Sequence, residues 1–480
     1  MSKEKVTQDR WHAVNIPKQD AQKRVFNFKE VSLGYTEEQA QKEASRCLLC
    51  AMPPCSKGCP VGINIPGFIR LIKEKKYNQA LKKIKEKSSF PIISSRICPQ
   101  EEQCQKSCML AKKGDAVQIG RLERFVADLE QEDQVVNCSI RPALSTGKKI
   151  AVIGSGPSGL TVAANLAKFG HEVVVFEALP VAGGVLAYGI PEFRLPKCMV
   201  KREVKRIRDL GVKIYTNIQV AKISAVDTLI KEGFDAVFIG AGAGIPRTLG
   251  VPGENLQGIY PANDFLMYVN LNLFYSCQEF DKKITVGKKA VIIGGGNVAI
   301  DAARMVLRLG AEKATIFYRR SRAELPARKE EIENAEEEGV AFKFLSSPKR
   351  FIGDDEGHVK SMEYVQMKLG EPDGFGRRRA IPIEGSERIV DVDFVAVAIG
   401  RRPNSIVQGF TKGIGVKNEG IIVTEDETTQ TSHEGIYAGG DIATGEATVI
   451  SAMGSGRKAA RYIDEYLMGA CRYPQIVVKK

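Results

Sequence analysis

Two segments of this 480-residue chain run a short apolar strand straight into a glycine turn and then an alanine-rich helix, and no other feature narrows the possible folds as far. The first is Lys149-Ile150-Ala151-Val152-Ile153-Gly154-Ser155-Gly156-Pro157-Ser158-Gly159. The glycines permit a tight turn, close approach of backbone to a pyrophosphate and close helix–strand packing, while the helix N-terminus supplies partial positive charge. The following strand, His171-Glu172-Val173-Val174-Val175-Phe176-Glu177, ends in an acid 23 residues after Gly154. Glu177 is suitably placed to accept hydrogen bonds from ribose hydroxyls.

The second copy is Lys289-Ala290-Val291-Ile292-Ile293-Gly294-Gly295-Gly296-Asn297-Val298-Ala299, with Ala299 where the third glycine would stand. Its next strand, Ala314-Thr315-Ile316-Phe317-Tyr318, ends in Arg319-Arg320 rather than in an acid. Loss of the carboxylate removes repulsion toward a 2′-phosphate, and two guanidinium groups bind such a phosphate through forked, charge-assisted bonds. Each bond contributes about 1.5–3 kcal/mol, which predicts NADP(H) rather than NAD(H) at this site.

Two nucleotide folds in series point to flavin in the first and nicotinamide in the second. The strand-like runs ending at Gly240-Ala241-Gly242 and at Gly400 read as places where the chain crosses between the two units. Gly184, Gly240, Ala241 and Gly242 are counted among the cofactor contacts. Further on, Gly435-Ile436-Tyr437-Ala438-Gly439-Gly440-Asp441 precedes a helix expected from about Thr448 to Tyr466. Gly440 and Asp441 fit a ribityl chain, and a helix N-terminus at Thr448 favours negative charge on a reduced flavin. Residues 340–393 read as a β-meander completing the nicotinamide unit, and residues 328–338 as a solvated helix without a catalytic carboxylate.

Seven of the eleven cysteines lie in the first 108 residues, as Cys47-x2-Cys50-x4-Cys55-x3-Cys59-Pro60 followed by Cys98-Pro99-x4-Cys104-x3-Cys108. Zinc sites use four ligands in two separated pairs, whereas four cysteines in thirteen residues closed by Cys-Pro match iron–sulfur clusters. A disulfide framework would need an export route. The polar start Met1-Ser2-Lys3-Glu4-Lys5 has no apolar segment after it, and no run approaches 18 apolar residues. A cytoplasmic protein with no membrane span is therefore expected. Two [4Fe–4S] clusters want eight ligands, so the eighth comes from elsewhere or one iron is open. Cys138, Cys198, Cys277 and Cys471 are given no role. Around the cysteines, Thr36-Glu37-Glu38-Gln39 predicts a capped helix running toward Cys47, Pro53-Pro54 a break in it, and Ile63-Asn64-Ile65-Pro66 a further helix entry.

The net charge is +13, part of it concentrated in residues 70–87. With no recognisable nucleic-acid module, docking of an acidic redox partner is expected rather than nucleic acid.

From about Ala44 to its end the chain resembles the flavoprotein family that includes the small subunit of NADPH-dependent glutamate synthase, the N-terminal half of dihydropyrimidine dehydrogenase and the large subunit of Nfn-type NADH-dependent ferredoxin:NADP oxidoreductases. The resemblance is carried by Gly58-Cys59-Pro60-Val61-Gly62-Ile63-Asn64-Ile65-Pro66, Cys98-Pro99-Gln100-Glu101-Glu102-Gln103-Cys104, Gly294 to Arg304 and Tyr318 to Arg328. It implies an α/β chain with a helical two-cluster domain over residues 1–145, an FAD domain over 146–286 and 396–480, and an NADP(H) domain inserted over 287–395. It further implies that Cys47, Cys50, Cys55 and Cys108 hold one [4Fe–4S] cluster, and Cys59, Cys98, Cys104 and Glu123 the other. The same likeness puts Arg194 near the flavin ring as a catalytic group and Arg328 at the nicotinamide nucleotide.

The function so implied is hydride exchange between NADP(H) and FAD. One electron then passes through the clusters to ferredoxin, and the other to NAD through a smaller FAD/[2Fe–2S] subunit, in a heterodimer or higher assembly. The alternative is a glutamate synthase small subunit feeding an amidotransferase subunit; Asn297, where such subunits often have Asp, tilts the reading toward the Nfn type. Intact glycine motifs and clustered cysteines argue against a non-enzymatic scaffold. The lack of Cys-x-x-Cys in either nucleotide unit argues against a disulfide reductase.

Overall fold

The computed structural model describes residues 10–131, 143–220, 226–277, 284–372, 374, 376–403 and 413–469; Cys138 and Cys471 lie outside these. Up to residue 131 the described chain is helical. The helix Glu37–Ser45 starts at a complete capping box, with Gln39 N donating to Thr36 Oγ1 at 3.2 Å and Thr36 N to Gln39 Oε1 at 3.0 Å. It ends at Ser45, just short of Cys47, so Pro53-Pro54 does not break it. Pro54 instead opens the single turn Pro54–Lys57, where its missing N–H is not needed. Asn64 caps the helix Ile65–Lys73 by accepting from Gly67 N at 3.0 Å. Lys75, at φ 56°, separates that helix from Tyr77–Lys85. The basic stretch is thus two helices, with Ile69, Ile72, Leu81 and Ile84 buried beneath their lysines.

Two five-stranded parallel sheets follow. The first has the order Ile436–Ala438, Ala236–Ile239, Lys149–Ile153, Glu172–Phe176, Lys213–Tyr215. The second has the order Ile259–Pro261, Phe394–Val397, Lys289–Ile293, Lys313–Tyr318, Ala341–Phe344. In sequence, the second lies inside the first. The chain leaves and re-enters the first sheet through a two-stranded antiparallel link, Ile245–Pro246 against Arg401–Arg402. The edge strand Ile259–Pro261 and the helix Ala262–Asn270 build the second unit, although the expected boundary at 286/287 leaves them in the first. A three-residue strand closed by proline carries no readable alternation.

Of the meander expected over residues 340–393, the strands between Ser346 and Asp391 are antiparallel, whereas Ala341–Phe344 pairs in parallel at the edge of the second sheet. The long strand Val359–Pro372 pairs with Ser346–Gly353, Arg378–Pro382 and Arg388–Asp391. The charged helix Lys329–Glu337 departs from its solvated reading. Glu331, Asn334 and the following Glu338 are buried. Glu338 accepts from Arg304 Nε at 2.9 Å, Arg308 Nη1 at 2.7 Å and Arg24 Nε at 2.7 Å. Arg304 and Arg308 also lie over the Phe193 ring, at 4.6 and 4.1 Å. The guanidinium partners come from the Asn297–Arg308 helix and from the N-terminal Ala21–Arg24 turn, which the charge pattern of one helix does not reveal.

Candidate functional site

The first glycine turn is held by close backbone contacts. A Cβ on Gly154 (φ 93°) would lie 2.5 Å from Gly240 O, and one on Gly159 would lie 2.0 Å from Gly154 O. A Cβ on Gly156 would meet nothing within 4 Å. The central glycine therefore leaves open space at the N-terminus of the Pro157–Lys168 helix, where a pyrophosphate needs it. Gly184, at φ 55°, brings its own Cα position against Gly156, where a Cβ would come within 2.6 Å of Gly156 Cα. Ala241 and Gly242 follow the adjacent strand end.

Glu177 is 6% exposed and accepts from Ser155 N at 2.9 Å, Ser155 Oγ at 2.5 Å and Leu179 N at 2.9 Å. Ser155 Oγ in turn accepts from Gly183 N at 3.0 Å. The carboxylate thus orders the turn and its neighbouring loop. Gly440 (φ 74°) donates to Ser455 Oγ at 2.8 Å and crowds Ser158, where a Cβ would be 2.7 Å from Oγ. This seats the helix Val449–Met468, capped by Thr448, against the helix of the first turn. Burial raises Asp441 to about 6.

The loop 188–194 follows the Gly183-Gly184 segment that packs on the first turn and walls the open space at Gly156, the first crevice. Tyr188 OH donates to Val181 O at 2.5 Å, and Asn270 Nδ2 donates to Tyr188 O at 2.8 Å. Lys197, which the sequence reading missed, is 2% exposed and donates to the carbonyls of Leu186 (3.3 Å), Leu195 (3.1 Å) and Ile190. Burial lowers its pKa to about 7. Arg194 pairs with Asp301 at 2.6 Å and Glu331 at 3.3 Å, joining the loop to the second unit.

The second turn repeats the pattern. A Cβ on Gly294 would be 2.2 Å from Ala398 O, one on Gly295 2.7 Å from the Tyr318 ring, and one on Gly296 in open space. Val298 and the fully buried Ala299 lie in the first turn of the Asn297–Arg308 helix. Arg319 is exposed, whereas Arg320 is 7% exposed and donates from Nε to Arg378 O at 2.7 Å. Arg328 is buried, and its guanidinium is engaged by Glu101, Gln100 and Arg96 O of the cysteine-rich unit rather than turned to an open phosphate site.

The cysteines gather in two groups. Cys47, Cys50, Cys55 and Cys108 line one cavity, with Leu48 and Met109 among its walls. Cys59, Cys98 and Cys104 interact electrostatically with Glu123. Burial pushes Cys55 up to about 12 and Cys98 and Cys104 well above the usual thiol range. Thiolates there need a cationic core to form, and cysteines around a cavity suit a multi-iron core. Among the described residues no group of three His, Cys, Asp or Glu side chains is set for a single metal ion. Glu123 is 6% exposed; burial raises it to about 7, and its bond from Ser94 Oγ at 2.7 Å acts the other way. Ser94 carries no sequence signal. Cys198 is exposed and Cys277 half-buried, apart from both groups.

Residues 24–135 match the family described as dihydropyrimidine dehydrogenase domain II, 4Fe-4S cluster, and residues 144–456 match the pyridine nucleotide-disulphide oxidoreductase family. The chain is 35% identical over 463 residues to the glutamate synthase [NADPH] small chain of Escherichia coli (strain K12), covering 95% of this chain and 97% of that one. It is 39% identical over 446 residues to the NADP(+)-dependent formate dehydrogenase subunit beta of Moorella thermoacetica, covering 88% of this chain and 61% of that one. It thus spans less than two thirds of the latter. The structure of Mycobacterium tuberculosis FprA in complex with NADPH shares the fold, with TM-score 0.55 and 21% identity over 68% of this chain and 87% of that one. The chain is an oxidoreductase using FAD, NADP(H) and 4Fe–4S clusters. No helix among the described residues is long and apolar enough to cross a membrane.

Proposed function

The chain belongs to the iron–sulfur flavoprotein oxidoreductase family that includes the glutamate synthase small chains, and on that premise we propose that it is the NADP(H)-handling subunit of an electron-bifurcating ferredoxin:NADP oxidoreductase. When bound, NADP(H) and FAD supply hydride exchange, and the clusters supply one-electron transfer, one electron leaving to ferredoxin and the other through a smaller FAD/[2Fe–2S] partner to NAD. The observation that carries the reading is the contact between the cysteine-rich unit and the helix over the first crevice. Gln103 Nε2 donates to Thr448 Oγ1 at 3.4 Å, and Arg457 Nη1 donates to Val61 O at 3.4 Å. A Cβ on Gly454 would lie 3.1 Å from Pro60 O.

In this reading Cys59, Cys98, Cys104 and Glu123 hold the cluster on the crevice side. Cys47, Cys50, Cys55 and Cys108 hold the outer one, beside the exposed Leu48, Met52 and Met109. The first turn and Glu177 seat FAD. The second turn seats the NADP(H) pyrophosphate, and Arg319 with Arg320 takes its 2′-phosphate. Arg194 acts by fixing the loop 188–194 against Asp301 and so orienting the two nucleotide units.

A second reading, a glutamate synthase small subunit, is favoured by the near full-length match to the Escherichia coli small chain. Anaerobic purification with whatever binds stoichiometrically separates the two. Bifurcation requires NADPH oxidation that reduces ferredoxin only while NAD is present. A co-purifying amidotransferase and NADPH-dependent glutamate formation would replace it.

A further inference from the structure

Arg328 ties the second glycine turn to the crevice-side cysteines. Its backbone N–H donates to Asn297 Oδ1 at 3.0 Å, and Asn297 opens the helix that follows the turn. Its guanidinium, in a side chain 8% exposed, donates to Arg96 O at 3.2 Å and Gln100 Oε1 at 3.1 Å, and pairs with Glu101 at 3.2 Å. Those three residues flank Cys98. Gln100 also packs on Gly120, where a Cβ would come within 2.2 Å of Gln100 Nε2, and Gly120 stands in the first turn of the Ile119–Gln131 helix that bears Glu123. Glu330 lies 3.6 Å from the guanidinium on its other side and is shared with Arg121 at 3.6 Å.

We propose that Arg328 is a positioning residue that couples nucleotide occupancy of the turn at 294–297 to the redox potential of the cluster held by Cys59, Cys98, Cys104 and Glu123. The proposal rests on the ligand sets assigned above. An anion bound at the helix N-terminus acts on Asn297 and, through it, on a rigid planar fork buried between two carboxylates and the Cys98 segment. Added negative charge on the nucleotide side opposes added negative charge on the cluster, in surroundings of low dielectric. Nucleotide therefore binds less tightly at this turn when the cluster is reduced, and by linkage it lowers the cluster's potential.

The test is an EPR-monitored redox titration of the anaerobic holoprotein with and without 2′-phospho-ADP-ribose, which has the phosphates but no nicotinamide to exchange hydride. The relevant signal is the one that changes in Glu123→Gln. About fivefold weaker binding to the reduced state is expected, at the low end of typical coupling. For a one-electron couple this is a fall of about 40 mV. Arg328→Gln starts at a lower potential, because Glu101 and Glu330 stay behind, and loses the nucleotide shift. Arg328→Lys keeps the charge without the fork, so it holds the starting potential and loses the shift. Should Arg328→Gln fail to retain iron, Asn297→Ala leaves the guanidinium in place and must still lose the shift. A shift that persists in Arg328→Lys or Asn297→Ala, or none in the wild type, overturns the coupling alone. A wild type whose EPR signals are all untouched by Glu123→Gln overturns the ligand sets and the coupling together.

Discussion

At the scale of single residues, the glycines of the two turns divide by what a methyl group would meet. Gly159 has no room, since its Cβ would sit 2.0 Å from Gly154 O. Gly159→Ala is expected to destabilise the protein by about 1–3 kcal/mol or more through overpacking against backbone. It should also lower the flavin retained per chain, read by absorbance after desalting together with the thermal midpoint. Arg319 is exposed just past the end of its strand, so replacing it tests the proposed phosphate contact with little effect on packing. Arg319→Ala should raise the KM for NADPH roughly tenfold with kcat unchanged, consistent with one charge-assisted bond, and leave the KM for NADH alone. Equal effects on both nucleotides would remove the 2′-phosphate assignment. The glycine turns were legible because each sits at a fixed offset from its strand. Ser94 and Lys197 were not, because their partners are carbonyls and a carboxylate that only the folded chain brings near.

At the scale of elements, caps followed from local sequence and buried charge did not. Thr36→Ala should cost about 1 kcal/mol of stability by removing the acceptor for Gln39 N. The helix Lys329–Glu337 shows the opposite case. Burial alone would raise Glu331 and Glu338, yet the arginines around them hold both down to about 2. A carboxylate depressed in the folded state stabilises it above the unfolded value near 4.5 and loses that contribution as pH falls toward 2. Glu338→Gln should therefore be less stable than the wild type at pH 7 by roughly a few kcal/mol, with the gap narrowing as pH drops through about 4.5. Denaturant titrations of both proteins across that range check it; a constant gap would mean that the carboxylate acts by packing alone.

At the scale of the whole molecule, the cysteine-rich unit is not a separate bead. Phe68, Ile93 and Leu122 belong to the same continuous core as Ile150, Leu160 and Ile463 of the first nucleotide unit. Stripping the iron with a chelator under anaerobic conditions should therefore lower the thermal midpoint of flavin release as well as bleach the clusters. An unchanged flavin midpoint would show that the two units unfold independently.

The sequence alone determined the two nucleotide folds, the glycine turns, the capped helices and the concentration of cysteines, because short continuous apolar runs, turn stereochemistry and capping act over a dozen residues or fewer. The tertiary structure decided which cysteines share a cavity, that Ile259–Pro261 edges the second sheet, and that a helix bearing five glutamates buries one of its carboxylates, Glu331, and the one that follows, Glu338, against arginines from distant segments. It also decided that Arg328 serves the Cys98 segment. Each of these depends on pairs far apart in the chain, and the free energy of a buried charge or a shared ligand set is fixed by what stands opposite it.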